Sequence, residues 1–217
     1  MPDKPDISSL TLNRLSVYLR CLRTLEEEGV ETVSSQSLAR RFHLSSSQIR
    51  KDLTSFGEFG VRGVGYDVAT LAQRIHELLG LDVEHRLVIV GMGHLGSALA
   101  SYFRFNDRSF RVVAAVDADP ELVGREIGSI RVAAADDVAR VVAETGAHIG
   151  IIAVPADAAA SVLDDLVAAG IRSVLNFAPV TLGEPEGVRL RNVDMRVFLE
   201  EVAFFLQDPE VSLAPSD

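Results

Sequence analysis

Cysteine is nearly absent from this 217-residue chain, and the single one, Cys21, excludes an intramolecular disulfide and any cysteine cluster for a metal. Its neighbours on a predicted helix, Tyr18 and Leu25, make it a core thiol. Long hydrophobic runs are lacking too: no uncharged apolar stretch approaches the roughly 18 residues of a membrane helix. The opening MPDKPDISS has no basic-then-apolar order of a secretory signal, so the expected location is cytoplasmic. Positive charge is scarce overall, with 21 Lys and Arg against 31 Asp and Glu, and a net charge of −10 argues at first against a nucleic-acid partner.

The average conceals a division. Residues 1–80 hold ten basic and ten acidic side chains, whereas 81–217 hold eleven and twenty-one, so the whole negative excess lies in the second part. Within 38–66 the basic residues Arg40, Arg41, Arg50, Lys51 and Arg62 face only Asp52 and Glu58. A locally basic patch rides on an acidic protein.

In 10–28, LTLNRLSVYLRCLRTLEEE, helical spacing puts Leu12, Leu15, Leu19 and Leu22 on one face, and Gly29 ends the helix. The following SSQSLARRFHLSSSQIRKDL, 34–53, divides into two short helices about a break at His43-Leu44-Ser45. Ser34 or Ser35 caps the first, which buries Leu38 and Ala39. Ser45 with Gln48 forms a capping box for the second, which buries Ile49 and Leu53. This is a helix-turn-helix pattern, with Ser46, Ser47, Gln48, Arg50 and Lys51 on the face that enters a major groove. Hydroxyl and amide groups there suit base edges, and the cations suit phosphate or guanine.

Residues 55–68, SFGEFGVRGVGYDV, alternate glycine with aromatic, β-branched and Arg residues and predict a β-hairpin with Arg62, in Val61-Arg62-Gly63, near its tip; Gly63 and Tyr66 join Arg62 as expected DNA contacts. A hairpin after a recognition helix is a wing, and its tip arginine suits an A·T-rich minor groove. Asp67 then starts a helix with Val68, Leu71, Ile75 and Leu78 on one face, ending at Gly80. His43 and His76 have no partners at metal-ligand spacing, and no metal is expected.

From Arg86 the pattern changes to alternating strand and helix, the mark of a doubly wound parallel sheet. Strands are predicted at 86–91, 111–116, 148–154 and 172–176, with a shorter one near 188–193, and helices near 94–105, 136–145 and 156–169. The segment VIVGMGHLGSAL, 88–99, carries Gly91-x-Gly93-x-x-Gly96 between a strand and a helix, with Asp117 at the end of the next strand. This is a dinucleotide-binding fingerprint. Gly91 permits a tight turn, Gly93 admits the pyrophosphate and Gly96 lets helix and strand pack closely, with His94 and Leu95 in the helix's first turn. Asp117 accepts from the adenine-ribose hydroxyls, and with Asp119 it repels a 2′-phosphate, favouring NADH and NAD+ over the phosphorylated forms.

Ligands in such folds sit outside the carboxyl ends of the strands, which nominates Val154-Pro155 and Asn176-Phe177-Ala178-Pro179 as further walls. No acid-base side chain is placed to move a proton beside a hydride, and His148 starts a strand at the wrong end of the sheet. No catalytic residue is assigned, and a dinucleotide without visible chemistry reads as a signal. In DMRVFLEEVAFFLQD, 194–208, Val197, Phe198, Val202, Phe204, Phe205 and Leu206 spread over more than one face, a surplus that implies a homodimer. The expected architecture is α/β: a winged-helix domain over 1–80, a Rossmann-type NAD(H) domain over 81–193 and a dimerisation helix and tail over 194–217.

Together these segments resemble the Rex family of redox-sensing transcriptional repressors. The resemblance runs from Tyr18-Leu19-Arg20 through Ile49-Arg50-Lys51-Asp52-Leu53, the wing residues, the glycine motif with Ser97-Ala98-Leu99, Val116-Asp117-Ala118-Asp119-Pro120 and Val154-Pro155-Ala156 to Leu175-Asn176-Phe177-Ala178-Pro179 and Asn192-Val193-Asp194. It implies a homodimer with swapped C-terminal helices that binds inverted-repeat operators of respiratory and fermentative genes and leaves them when NADH rises relative to NAD+. It also implies that Arg20 and Asp194 form a switching ion pair and that Tyr102, near the nicotinamide, competes for that carboxylate. The chain departs from the family's usual pattern at Met195, commonly Phe, and at His94, commonly Arg or Asn. Two other readings of the residues are a regulator responding to another nucleotide such as coenzyme A and a small NAD-dependent dehydrogenase.

Overall fold

The computed structural model describes residues 8–57, 60, 64–106, 109–128 and 130–207, without the side chains of 104–106 and 207. Two compact units divide between Asp82 and Val83.

In the first unit α1 (Ser9–Glu27) is capped by Ser8, whose hydroxyl accepts from the Thr11 amide, and the chain leaves it through Gly29 at φ +75°. Leu15, Tyr18, Leu19, Leu22 and Leu25 are buried, and Cys21 among them has its thiol pKa pushed up by burial. Leu12 does not join them: it is exposed on the first turns. After the two-residue β1 (Thr32–Val33), α2 (Ser35–Phe42) is capped by Ser34, which accepts from Ser37 N at 3.0 Å. The turn into α3 (Ser46–Thr54) depends on His43, in the left-handed region at φ 55°. Ser45 accepts from Gln48 N at 3.3 Å, so half of the expected capping box forms. The other half does not, because the Gln48 amide turns to Asp52.

The C-terminal end of the expected hairpin, β2 (Tyr66–Asp67), pairs antiparallel with β1, Val33 opposite Tyr66. That partner was not among the expected elements. Gly65 lies at φ +108°, and a Cβ there would stand 2.7 Å from the Val33 carbonyl oxygen, so the close approach of the two strands requires glycine. The expected tip, Arg62 and Gly63, lies outside the described residues. Asp67 then caps α4 (Val68–Leu78), accepting from Thr70 N at 2.8 Å. Val68, Leu71, Ala72 and Ile75 pack on α1; Leu78, in the last turn, is exposed rather than part of that face.

The second unit is a seven-stranded sheet. Its elements are β3 (His85–Val90), α5 (His94–Asn106), β4 (Phe110–Asp117), β5 (Glu126–Ile127), β6 (Ile130–Ala134), α6 (Val138–Thr145), β7 (Ile149–Ile152), α7 (Ala159–Ala168), β8 (Ser173–Asn176), β9 (Arg189–Asn192) and α8 (Met195–Gln207). The order across the sheet is β5-β6-β4-β3-β7-β8-β9, with every pair parallel except β5 with β6. The chain therefore winds outward from β3 in both directions, which leaves a crevice at the carboxyl ends of β3 and its neighbours. Val88 and Val90 point to α6 and α7, while Leu87 and Ile89 point to the opposite face with Met92 and Ala100, as the two-residue period of a strand demands.

The hairpin of β5 and β6 was not expected. Strand β7 is Ile149–Ile152 rather than reaching 154, although the Ala153 amide still donates to the Val90 carbonyl at 2.8 Å. Helices α6 and α7 start two and three residues later than predicted, after a 3-10 turn (Ala135–Asp137) and a turn closed by Ala158 N on the Pro155 carbonyl.

Candidate dinucleotide and operator sites

The glycine-rich loop is built by close approaches. Gly91 lies at φ +95°, and a Cβ on it would meet the Ala153 carbonyl oxygen at 2.5 Å. A Cβ on Gly96 would fall 1.8 Å from the Gly91 carbonyl oxygen, so α5 reaches β3 only because that residue has no side chain. Gly93 differs: a Cβ there meets nothing within 4 Å, and its backbone faces open space at the start of α5. Loop geometry thus gives the three glycines separate tasks, and the open one fits a pyrophosphate that must approach the chain closely at a helix N-terminus.

Asp117 completes this corner. One carboxylate oxygen accepts a short hydrogen bond from the Met92 amide inside the glycine loop, and the other accepts from Asp119 N at 2.8 Å. Ser97 ties the same loop from below, its hydroxyl donating to the Met92 carbonyl at 2.9 Å. A carboxylate has about four acceptor positions, so the two amide bonds leave capacity for ribose hydroxyls. His94 and Leu95 are exposed on the first turn of α5, and Tyr102 is exposed two turns on, its ring set edge-on to Phe103 at 5.4 Å.

On the other side of the crevice Val154 is half-buried and Pro155 exposed after β7, and Phe177, Ala178 and Pro179 follow β8. Asn176 is 0% exposed, and its amide is spent internally. Nδ2 donates to the Val180 carbonyl and to Asn192 Oδ1, both at 2.8 Å, and Oδ1 accepts from Ala178 N at 2.9 Å. Asn192 in turn accepts from Leu182 N and donates to the Leu182 carbonyl. The two asparagines shape the wall, and the buried Asn176 side chain spends both amide hydrogens and one lone pair of its oxygen within it. Asn192 belongs to the chemistry of the wall, and its place opposite Asn176 in the β8–β9 register is what couples them. Two residues on, Asp194 is exposed and its Oδ1 accepts from Arg196 N at 2.9 Å at the start of α8. Met195 is exposed, as are Val197, Phe198, Leu199, Val202, Phe204 and Leu206.

In the first unit Ser47, Arg50 and Lys51 are exposed on α3, with Ser46 and Gln48 half-buried beside them. Arg50 donates to Ser35 Oγ at 3.0 Å, which joins α2 to α3. Tyr66 is half-buried, and burial pushes its hydroxyl pKa up against the opposing pull of the nearby Arg50 charge. Arg20 is exposed on α1. A polar cluster that sequence reasoning missed lies beneath α3. Asp52 is 3% exposed and is held by Arg14 and Tyr18 of α1. The signal was present in the i, i+4 spacings of Arg14 with Tyr18 and Gln48 with Asp52, which place each pair on one helix face. Among the described residues no cluster of three metal-ligating side chains occurs.

Two known families match separate parts of the chain. Residues 6–54 match the family described as putative DNA-binding protein N-terminus, and residues 82–180 match the CoA binding domain family. A helix-turn-helix unit joined to a nucleotide-binding Rossmann unit defines a ligand-responsive transcription regulator. The chain is 47% identical over 201 residues to the redox-sensing transcriptional repressor Rex of Streptomyces coelicolor, covering 93% of this chain and 78% of that one. It is 46% identical to the Rex of Desulforamulus reducens, covering 92% and 95%. The crystal structure of RSP in complex with β-NAD+ and operator DNA superposes with a TM-score of 0.89 at 36% identity over 95% of both chains. The complex of RSP with β-NADH gives 0.86 at 34% over 95% and 97%. The chain belongs to the Rex family of redox-sensing transcriptional repressors, and it is a regulator rather than an enzyme.

Proposed function

We propose that the chain represses transcription from operator DNA while NAD+ predominates and releases it when NADH occupies the Rossmann unit. The observation that carries this is the corner formed by Asp117, the Met92 amide and the open backbone of Gly93, in a chain whose other unit presents α3 of a helix-turn-helix. Gly91, Gly93, His94, Leu95, Gly96 and Asp117 bind the adenosine and pyrophosphate half. Tyr102, Val154, Pro155, Phe177, Ala178 and Pro179 wall the nicotinamide half, with Asn176 as their internal support. Reduced nicotinamide is neutral and the oxidised ring is a cation, so apolar walls such as Val154, Phe177 and Ala178 favour NADH by the cost of burying an unpaired charge.

Ser46, Ser47, Gln48, Arg50, Lys51 and Tyr66, with Arg62 and Gly63 of the wing, contact the operator. The division into a DNA-binding domain over 1–80, a dinucleotide domain over 81–193 and a dimerisation segment over 194–217 follows from these roles. Two half-sites need two recognition helices, and the exposed apolar residues of α8 suit the homodimer that supplies them. Arg20, Asp194 and Met195 form the switch, and the protein works in the cytoplasm, where the ratio of NADH to NAD+ carries the signal. The test is a DNA-binding titration across NADH/NAD+ ratios. Equal release by the two forms at matched concentrations refutes the redox-sensing role.

A second reading, coenzyme A as the effector, is favoured by the family matched over 82–180. The adenosine of coenzyme A carries a 3′-phosphate, which the Asp117 carboxylate at the ribose repels. Asp117→Ala weakens NADH binding under the first reading and strengthens coenzyme A binding under the second.

A further inference from the structure

Asp52 sits on α3, the helix assigned to operator reading, yet its carboxylate faces inward. It accepts from Arg14 Nε at 2.6 Å, Arg14 Nη2 at 2.9 Å, the Tyr18 hydroxyl at 2.9 Å and Gln48 Nε2 at 2.7 Å. Arg14 and Tyr18 both belong to α1, so the cluster fixes the roll of α3 against the helix beneath it. It also fixes a smaller thing. A carboxylate bears acceptors alone, so the amide nitrogen of Gln48, and not its oxygen, must turn toward Asp52. Gln48 is the third residue of α3 and half-exposed, and its Oε1 accepts from no described residue.

We propose that Asp52 is a positioning residue for base specificity: by holding the Gln48 amino group inward it presents the Gln48 carbonyl oxygen to the operator. An acceptor in the major groove reads an exocyclic amino group, adenine N6 or cytosine N4. The inference rests on the assignment of α3 to the operator. Replacing Asp52 by asparagine changes the hydrogen-bond pattern in a defined way. Arg14 Nε and the Tyr18 hydroxyl share Oδ2 and keep it as the new amide oxygen; the amide nitrogen takes the place of Oδ1, which Arg14 Nη2 and Gln48 share, so Arg14 Nη2 gives up its bond and Gln48 turns its oxygen inward and its amino group outward. At the same point in the groove guanine O6 replaces adenine N6, and thymine O4 replaces cytosine N4. Asp52→Asn therefore converts the preferred base into its transition partner, A to G or C to T.

The experiment is selection from operators randomised within one half-site, with the full-length wild type, Gln48→Ala and Asp52→Asn, each first shown to bind NADH and to melt cooperatively. The expected result is that Gln48→Ala erases the preference at one base pair and Asp52→Asn exchanges it for the transition partner. If Gln48→Ala changes no position, Gln48 does not read bases and the operator assignment of its side chain fails. If Gln48→Ala erases a preference that Asp52→Asn leaves intact, the operator assignment stands and the positioning role is overturned. A variant that fails to fold is bypassed with wild-type protein and an operator lacking the exocyclic amino group at that position, purine for adenine or 2-pyrimidinone for cytosine. The loss of one hydrogen bond weakens wild-type binding about fivefold and leaves Gln48→Ala unaffected; an indifferent wild type overturns the proposal.

Discussion

Replacing Gly93 by alanine separates ligand binding from folding. The added methyl meets no atom within 4 Å, and the residue is not in the left-handed region, so the fold has no reason to resist it. Its stability cost falls within about 0.5 kcal/mol. The ligand, by contrast, needs that space. Phosphate oxygens accept from backbone amides at about 2.9 Å, whereas carbon keeps other atoms at about 3.5 Å or more. A methyl in front of the loop therefore pushes the pyrophosphate out of hydrogen-bonding range. Each charge-assisted bond lost is worth about 1.5–3 kcal/mol, so NADH affinity falls by about tenfold to a hundredfold.

Gly96→Ala supplies the contrast, because its methyl lands 1.8 Å from the Gly91 carbonyl oxygen and α5 must move off β3 to admit it. Overpacking of this kind costs about 1–3 kcal/mol. Calorimetry and NADH fluorescence titration on both variants read the two effects. Wild-type NADH affinity in Gly93→Ala, or a melting temperature as low as that of Gly96→Ala, refutes the assignment of Gly93 to the pyrophosphate.

Arg14→Met removes two of the bonds to the buried Asp52 carboxylate and is expected to cost about 3 kcal/mol in the first unit, read by chemical denaturation. Burial alone raises the Asp52 pKa, but the hydrogen bonds from Arg14, Tyr18 and Gln48 outweigh it and hold the net value below the ordinary carboxylate range. A depressed folded value contributes stability that is present above the unfolded pKa of about 4 and is lost as pH falls through the folded one. The wild type is therefore expected to lose more stability below about pH 4 than Asp52→Asn does, and parallel curves count against the cluster. Asn176→Asp sets carboxylate oxygens against the Val180 carbonyl and Asn192 Oδ1 in a buried site, so it is expected to lower the melting temperature at neutral pH and to recover on acidification. Arg62→Ala is expected to weaken operator binding while leaving NADH affinity unchanged, and a matching loss of NADH binding contradicts the division of labour between the units.

The legible parts of the sequence were those where local chemistry and tertiary role coincide. Ser34, Ser45 and Asp67 cap helices in the structure because a short acceptor before an apolar period serves no better purpose. The glycine motif was legible for a similar reason, since three glycines at fixed spacing meet three separate steric demands. Strand β6 was missed because Ile130-Arg131-Val132 runs into an alanine series with no strand preference, and pairing with β4 decides it. The pairing of β1 with β2 joins residues more than thirty positions apart, and two residues carry no period. Asn176 was read as a ligand contact from its place after a strand. Its hydrogen bonds depend on Asn192, which only the register of β8 with β9 brings near. Gln48 is a similar case: the spacing from Ser45 suggests a reciprocal cap in which the Gln48 oxygen accepts from the Ser45 amide, but the Gln48 nitrogen instead donates to the Asp52 carboxylate one turn away, a charge-assisted bond.

The two halves of the dinucleotide site bear differently on the redox set point. NAD+ and NADH share their adenosine and pyrophosphate, so under the proposed assignment Asp117 and the Gly93 backbone meet identical groups in both. A change there weakens the two affinities by the same factor and leaves their ratio unaltered. When total dinucleotide far exceeds both dissociation constants, occupancy depends on that ratio alone, and the NADH/NAD+ ratio at half-release of the operator stays where it was. The proposed nicotinamide walls at Val154, Phe177 and Ala178 are where a neutral ring and a cationic ring would differ, and an added carboxylate there would stabilise the oxidised ring. Val154→Asp is accordingly expected to raise the ratio needed for release, each tenfold shift corresponding to about 1.4 kcal/mol of differential affinity. Asp117→Ala, assayed at saturating total dinucleotide, is expected to leave that ratio unchanged. Operator titrations at several fixed ratios read both variants, and a displaced midpoint in Asp117→Ala places part of the redox discrimination in the adenosine half.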